Sequence, residues 1–525
     1  MNSLVMPLRW LALAVLASAP LLALGQPAAP SVEERLRRLE ERQEQLEQQV
    51  RQKDARIEEL EQQLGATPAT TPATTPTALP APDTVPAPAT PSVAAAEADQ
   101  PELIDAINPA PGQAPSQPAG TFINPDTPLA PGRGFEVGRN ELGSLNIGAY
   151  ALIRVLEQLP ADQETTDHLG RPLTVDTRQD ANIHRIMLNF RGFAFDPKLN
   201  YALTVWTVNA TESVRVIGSL GYTFSDAFTL SAGVSGTPGT RSMLGSHPFW
   251  LGHDRTLADE YFRPGFSSGI WASGQTPRGT NYKFMVANNI STLGVNAVED
   301  TRDLAYSGTL WWMPTTGEYG PQGAWNDFEF HEELATRFGI SYVRSPREDR
   351  TAQPSSQTPD STQIRLADSL LLFELDALGD GVTVQTANYE LLSLDFGLKY
   401  RGMFLQTEAY YRTLNDFRAA EFSTVPLPVQ SIREQGFYVQ GGFFPVPRKF
   451  ELYASTSRIY ADGDAGFDDS RDVALGANWY WSGTRYQRLN LQYIDVKDSP
   501  ASSTFGYFTG GLDGQIISLE ASVLF

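Results

Sequence analysis

The 525-residue sequence contains no cysteine, which excludes disulfide scaffolds and thiolate metal sites. It is poor in base, with 40 Lys and Arg against 61 Asp and Glu for a formal charge of −21. That balance argues against nucleic acid as a partner, because a phosphate backbone requires clustered cations. The five histidines, His168, His184, His247, His253 and His331, are scattered without a helix-spaced pair, so no metal is read from them and no cofactor is called for. Gly265-Phe-Ser-Ser-Gly269 matches a nucleophile elbow in letters only, since an alternating segment follows where a helix is required. The acidic run Asp462–Asp472 lacks the central Gly and terminal Glu of a calcium loop. No catalytic group is legible, and an enzyme is not expected. Past the amino-terminus no run approaches the roughly 18 apolar residues of a membrane helix. This last absence leaves a membrane protein open, because membrane-crossing strands alternate and escape a hydropathy window.

What is present begins with export. Arg9 precedes an apolar run from Trp10, and Ala23-Leu24-Gly25 places small residues at the cleavage-defining positions, so residues 1–25 read as a signal peptide. A heptad follows over residues 31–64. Its a positions are Leu36, Gln43, Val50, Ile57 and Leu64, and its d positions are Val32, Leu39, Leu46, Lys53 and Leu60. The spacing predicts a coiled coil roughly 50 Å long at about 1.5 Å per residue. Residues 65–134 are rich in Pro, Thr and Ala, cannot bury a core, and read as a linker.

From Phe135 onward the pattern changes to period two, the signature of strands with two unlike faces. The last segment is the clearest: Ile517, Leu519, Ala521, Val523 and Phe525 alternate with Ser518, Glu520 and Ser522. A final strand ending on an aromatic residue resembles the insertion signal of bacterial outer-membrane barrels, and it predicts that Phe525 is an assembly signal. Sixteen strands are expected over 135–525. The first eight are near 144–156, 181–195, 199–210, 214–224, 228–237, 268–276, 281–290 and 304–313. The second eight are near 333–345, 384–400, 402–414, 433–445, 449–461, 471–482, 486–497 and 513–525. The fold class is therefore all-β, a 16-stranded antiparallel transmembrane barrel closed by pairing the last strand with the first near Asn146–Val155. Such a barrel keeps short turns on the periplasmic side, so even-numbered connections are expected to be short and odd ones long. Two connections break that parity: the third (210–213) is short and the eighth (314–332) is long. Trp311-Trp312, Trp479-Tyr480-Trp481, Tyr410-Tyr411 and Phe443-Phe444 fall near strand ends, where an aromatic girdle is expected.

Sixteen acids and 9 bases precede residue 135, which leaves 45 and 31 in the barrel and a net charge of −14 there. Alternation predicts that Arg154, Arg185, Arg191, Arg215, Lys283, Arg337, Lys399, Arg412 and Arg488 point inward and line the pore. Fewer acids, Glu333, Asp395, Glu408 and Glu520, are expected inside, with most negative charge in loops. A wall richer in guanidinium than carboxylate lowers the energy of a small anion in a narrow channel. The alternative is a mixed-charge wall without strong preference. The fifth connection is too apolar for a loop exposed to water and is expected to fold inward as a constriction, with Arg241, Arg255 and Arg263 against Asp259 and Glu260.

Several stretches resemble the phosphate-selective porin O and P family: Phe195-Asp-Pro-Lys-Leu-Asn-Tyr201, Phe266-Ser-Ser-Gly-Ile-Trp271, Leu398-Lys-Tyr-Arg-Gly-Met-Phe-Leu405, Gly436-Phe-Tyr-Val-Gln-Gly-Gly-Phe-Phe444 and Ala477-Asn-Trp-Tyr480. The resemblance implies a trimeric sixteen-stranded outer-membrane channel for passive anion diffusion, with inward arginines. A lysine-rich constriction, which it also implies for phosphate-specific members, has no match: the barrel's lysines are Lys198, Lys283, Lys399, Lys449 and Lys497, none in the fifth connection. The expected function is passive diffusion of small hydrophilic solutes with anion preference, inorganic anions such as phosphate included. The alternative is a structural barrel whose periplasmic coil links envelope layers. Expected partners are outer-membrane lipid and lipopolysaccharide, two further copies in a homotrimer, small anionic or neutral solutes, and the outer-membrane assembly machinery.

Overall fold

Alternation in the sequence becomes alternation in space. Along Phe450–Tyr460 every second side chain is buried and every other one exposed, as a pleated strand between two environments requires. The structure is a computed structural model; it describes residues 134–525 apart from 209–212, 246–248, 277–278, 294–302, 355–362 and 504–505. The expected signal peptide, coiled coil and all but the last residue of the linker lie outside the described residues, as does most of the third connection.

The chain opens with the hairpin β1 (Phe135–Asn140) and β2 (Gly143–Leu159), and a separate two-stranded sheet, β3 (Gln163–Thr166) with β4 (Pro172–Val175), follows. Next come β5 (Gln179–Ala194), β6 (Asp196–Val208), β7 (Ser213–Ser225), β8 (Phe228–Gly236), β9 (Phe266–Gln275), β10 (Thr280–Ala287) and β11 (Ala305–Trp312). The second half comprises β12 (Ala335–Asp349), β13 (Val384–Tyr400), β14 (Met403–Ala419), β15 (Ser431–Val446), β16 (Phe450–Tyr460), β17 (Ser470–Trp479), β18 (Gln487–Lys497) and β19 (Gly514–Leu524).

Each strand from β5 to β19 pairs antiparallel with the next, β2 pairs with β5, and β19 returns to β2, closing a ring of sixteen. The seam register runs from Gln515 opposite Leu159 to Leu524 opposite Tyr150, so the first strand extends beyond the expected Asn146–Val155. The unforeseen β1 lies on the remainder of β2, with Phe135 opposite Ile147. It begins where the carboxy-terminus stops: Ala149 and Phe525 exchange two 3.0 Å backbone hydrogen bonds, and the Phe135 and Phe525 rings are 5.5 Å apart.

Outward positions are apolar over most of the wall. Leu203, Leu220, Ile270, Leu394, Leu475, Leu491 and Leu519 are all exposed, far more apolar surface than a water-soluble monomer leaves open. The expected aromatic girdle is only half realised. Trp312, Tyr411, Phe443 and Trp479 face out, whereas Tyr410, Phe444 and Tyr480 are buried inside and Trp311 lies under the Arg337 guanidinium. Adjacent residues on a strand point to opposite faces, so a pair of neighbouring aromatics supplies one ring to each. Among the described residues no helix is long and apolar enough to cross a membrane.

Most turns at the end bearing the carboxy-terminus are tight. Residue 195 alone joins β5 to β6, and Arg401-Gly402 joins β13 to β14. Long connections emerge at the opposite end, several of them folding inward. The one after β8 carries a 3-10 turn, Arg241–Leu244, and a six-residue helix, α1 (Leu257–Phe262). Leu257, Tyr261 and Phe262 pack with Leu366, Leu372 and Phe373 of the connection after β12, against Tyr389, Leu414, Ile432 and Ile516 of the wall. That half of the lumen is filled by an apolar core.

Candidate functional site

The inward-folded connection after β8 is held by charge as well as by packing. Arg241 donates from its backbone to Glu408 Oε1 (3.0 Å), its guanidinium bonds Gln406 and the Gly323 carbonyl (3.1 Å), and Asp395 lies 3.8 Å away. Arg263 donates twice to Glu260 (3.0 and 2.9 Å), and Arg255 sits 3.6 Å from Glu260 and 3.8 Å from Asp259. Asp259 also accepts from Ser242 (3.0 Å) and Tyr410 (3.3 Å). The structure thus brings the five residues expected at a constriction together inside the barrel, each base beside an acid.

All nine bases expected on the wall take inward positions, with different surroundings. Arg337 donates to Asp395 (2.8 Å), and Arg412 is bound through two nitrogens to Glu434, which also accepts from Tyr261 (2.6 Å). Arg488 ties down the infolded loop through the carbonyls of Trp250 (2.6 Å), Leu251 (3.1 Å) and Gly252 (3.0 Å). Lys399 holds the Tyr319 carbonyl (2.7 Å) and Lys283 donates to Ser235 (2.7 Å). Arg185 is bound to Asp254 (2.8 Å), while Arg154 and Arg178 converge on the Gly506 carbonyl at 3.3 and 2.8 Å. Burial first, and then the Arg154 charge, pulls Arg178 down to about 10. Arg191 and Arg215 are half-buried on the same side.

The expected scarcity of inward acids does not hold. Glu333 is exposed in the eighth connection, outside the wall. Asp395, Glu408 and Glu520 are buried as expected, and Glu348, Asp349, Glu434, Glu451 and Asp472 join them. The signal for two of these was available, since Glu434 and Glu451 sit on the same alternating face as the buried tyrosines four and two residues further on, Tyr438 and Tyr453. The inward acids keep to one part of the wall, which they share with Arg337, Lys399, Arg412 and Arg488. Inward acids lie on β12–β19, whereas β2–β11 carry Arg154, Arg185, Arg191, Arg215 and Lys283 with Asp180 at the far end among the described residues.

The eighth connection, long against parity, enters the barrel from the end that bears the carboxy-terminus. Trp325 donates to the Phe249 carbonyl (3.0 Å), stacks on Trp250 at 5.9 Å and lies 6.0 Å from the Tyr438 ring. Asn326 bonds Glu451 and Tyr480, both at 2.9 Å, and Arg485 grips Glu329 at 3.0 and 2.7 Å. Asp327 accepts from the Gly402 amide (2.7 Å) and from His331, whose other ring nitrogen is 2.7 Å from Glu318. Two segments from opposite ends therefore meet in the lumen at Trp250 and Trp325. Apolar residues in a long even-numbered connection, Trp325, Phe328 and Phe330, were the sequence signal for this second infolding.

The profile of the family described as phosphate-selective porin O and P matches residues 162–521. The chain belongs to that family. It is an outer-membrane porin, a channel and not an enzyme. Comparison with curated proteins gave no match. Among solved structures, similar chains include Salmonella typhi OmpF in complex with daunomycin, 10% identical, TM-score 0.44, covering 74% of this chain and 100% of that one. Others are an anion-selective porin from Comamonas acidovorans (10%, 0.42, 73% and 99%) and the outer membrane channel DcaP of Acinetobacter baumannii (10%, 0.40, 75% and 100%). In the porin, the end with the carboxy-terminus and tight turns is periplasmic and the end with long loops is extracellular.

Proposed function

We propose that the porin passes small hydrophilic solutes by passive diffusion, prefers anions, and offers them a route along the β2–β11 wall. The observation that carries the reading is the distribution of charge: the inward acids lie on β12–β19, where Arg337, Lys399, Arg412 and Arg488 accompany them, while among the described residues the β2–β11 wall carries five inward bases with Asp180 at its far end. In a confined lumen an excess of one sign raises the local concentration of the opposite ion. Lys283, which donates to Ser235 and the Gly236 carbonyl, is one of the basic side chains on that wall. Inorganic phosphate belongs among the solutes without being singled out, since the infolded loop carries no lysine. The working unit in this reading is a homotrimer in lipid and lipopolysaccharide, inserted by the outer-membrane assembly machinery, with the amino-terminal coil in the periplasm.

Reversal potential in a salt gradient tests the selectivity. Wild type is expected to favour chloride over potassium. Each of Lys283→Gln and Arg215→Gln is expected to reduce the anion/cation permeability ratio about fivefold, since one charge felt at ~8 Å in water shifts the anion and the cation about twofold each in opposite directions. An unchanged ratio in both variants would place the ion route elsewhere.

A further inference from the structure

The outer wall carries one feature that passive permeation does not use. On β15–β18 the outward positions from the periplasmic end upward are apolar or small: Phe443, Gly441 and Val439; Leu452, Ala454 and Thr456; Trp479, Ala477, Leu475 and Val473; Leu489, Leu491 and Tyr493. Above them the register aligns three bases on adjacent strands, Arg458 opposite Arg471 and Arg471 opposite Lys497. Phe437 flanks Arg458 on the other side, and Arg433 stands exposed two outward positions beyond it on β15. Eight residues separate Trp479 from Arg471. At ~3.3 Å per residue and a tilt of about 40° this is roughly 20 Å of membrane height, close to the ~25 Å apolar band of such barrels. The row therefore lies at the outer-leaflet headgroup level. Among the described residues the other exposed arginine facing out from the wall near this level is Arg344, which is 3.5 Å from Glu390.

We infer that Arg458, Arg471 and Lys497 form a binding site for the phosphorylated headgroup of the outer-leaflet glycolipid. Charge complementarity favours this occupant, because three cations at one level above an apolar wall match a phosphate whose acyl chains run down that wall. The neighbouring carboxylates do not close the site. Asp469 meets Arg458 at 3.4 Å and Asp498 lies 3.8 Å from Lys497, both solvent-exposed contacts that cost little to displace. Asp462 is occupied by the Arg433 amide (2.9 Å), and Asp495 sits one outward position below Lys497. Arg458 also lies over the Tyr460 ring at 4.9 Å, which holds it flat against the rim. The inference rests on the outer-membrane location and is independent of ion preference.

The test titrates full-length porin in detergent with bisphosphorylated lipid A, with its dephosphorylated form and with inorganic phosphate, reading bound lipid by native mass spectrometry. The triple variant Arg458→Gln, Arg471→Gln, Lys497→Gln is expected to bind lipid A on the order of 100-fold more weakly, about fivefold per base. Dephosphorylated lipid A should bind wild type as weakly, and Arg344→Gln should bind lipid A like wild type. Conductance and ion preference should not change in the triple variant, which separates this inference from the selectivity reading. Should the triple variant fail to assemble, Arg471→Gln alone, on an exposed side chain, should still weaken binding about fivefold. Equal affinity of wild type and variant overturns the inference. So does loss of oligomeric mass without loss of lipid A, which would make the row a contact between copies, or displacement of lipid A by equimolar inorganic phosphate, which would make it a free-anion site.

Discussion

Removing the imidazole of His331 should loosen the periplasmic infolding in a pH-dependent way. Burial alone would lower this histidine, but its hydrogen bonds to Asp327 and Glu318 outweigh that and hold it at about 9. For Asp327 burial opposes ionisation and the His331 bond prevails, and for Glu318 the His331 bond dominates outright, so both carboxyls titrate below their ordinary range. A histidine raised from 6.5 to about 9 contributes stability that is complete below pH ~6.5 and is lost as pH rises through ~9. The carboxyls act in the opposite sense: their contribution is present at neutral pH and is lost as pH falls through their lowered values. A shift of this size corresponds to at most ~3 kcal/mol. Glu318 is 57% exposed, so screening reduces the net effect to about 1–2 kcal/mol. The clasp fixes the connection locally, so the assay is local: amide hydrogen exchange over residues 319–331 in wild type and His331→Gln. At pH 6.5 the variant should exchange ~5–30-fold faster, and by pH 10 most of that ratio should vanish. A ratio that is the same at both pH values would refute the charge argument, and a ratio of one at both would show that the clasp does not hold the segment.

Three further outcomes follow from the geometry. Gly402 has φ +80°, and a Cβ there would lie 2.6 Å from the Phe330 ring, so Gly402→Ala should cost about 1–3 kcal/mol, read as a lower midpoint in urea titration of folding. Arg412→Gln leaves Glu434 buried with Tyr261 as a partner and should cost ~3–5 kcal/mol; a wild-type midpoint would show that the pair is dispensable. Deleting Phe525 removes both backbone bonds to Ala149 and the ring beside Phe135. It should lower the yield of heat-modifiable barrel in the membrane while leaving the selectivity of assembled channels intact, and normal assembly would contradict the seam's role.

Much of this porin was legible because the strand repeat is short and local. Period two identifies a strand and its faces from a dozen residues, so sixteen strands, their turn parity and the inward set from Arg154 to Arg488 could be read from sequence. The same locality sets the limit. Parity marked the eighth connection as anomalous but could not say where 22 residues between Trp312 and Ala335 would go. Whether Trp325 enters the lumen depends on Phe249, Trp250 and Tyr438, which are distant in sequence and arrive only when the ring closes.

Charge shows the division most clearly. The sequence by itself determined that bases such as Lys283 and Arg412 face inward, because facing is a property of one strand. Only the tertiary structure decided that Arg412 is neutralised by Glu434 across a strand pair, that Arg488 serves loop carbonyls, and that Glu434, Glu451 and Asp472 are buried in the lumen beside the bases. Facing follows from local geometry, but electrostatic effect depends on distances between strands, and those exist only after the barrel has closed.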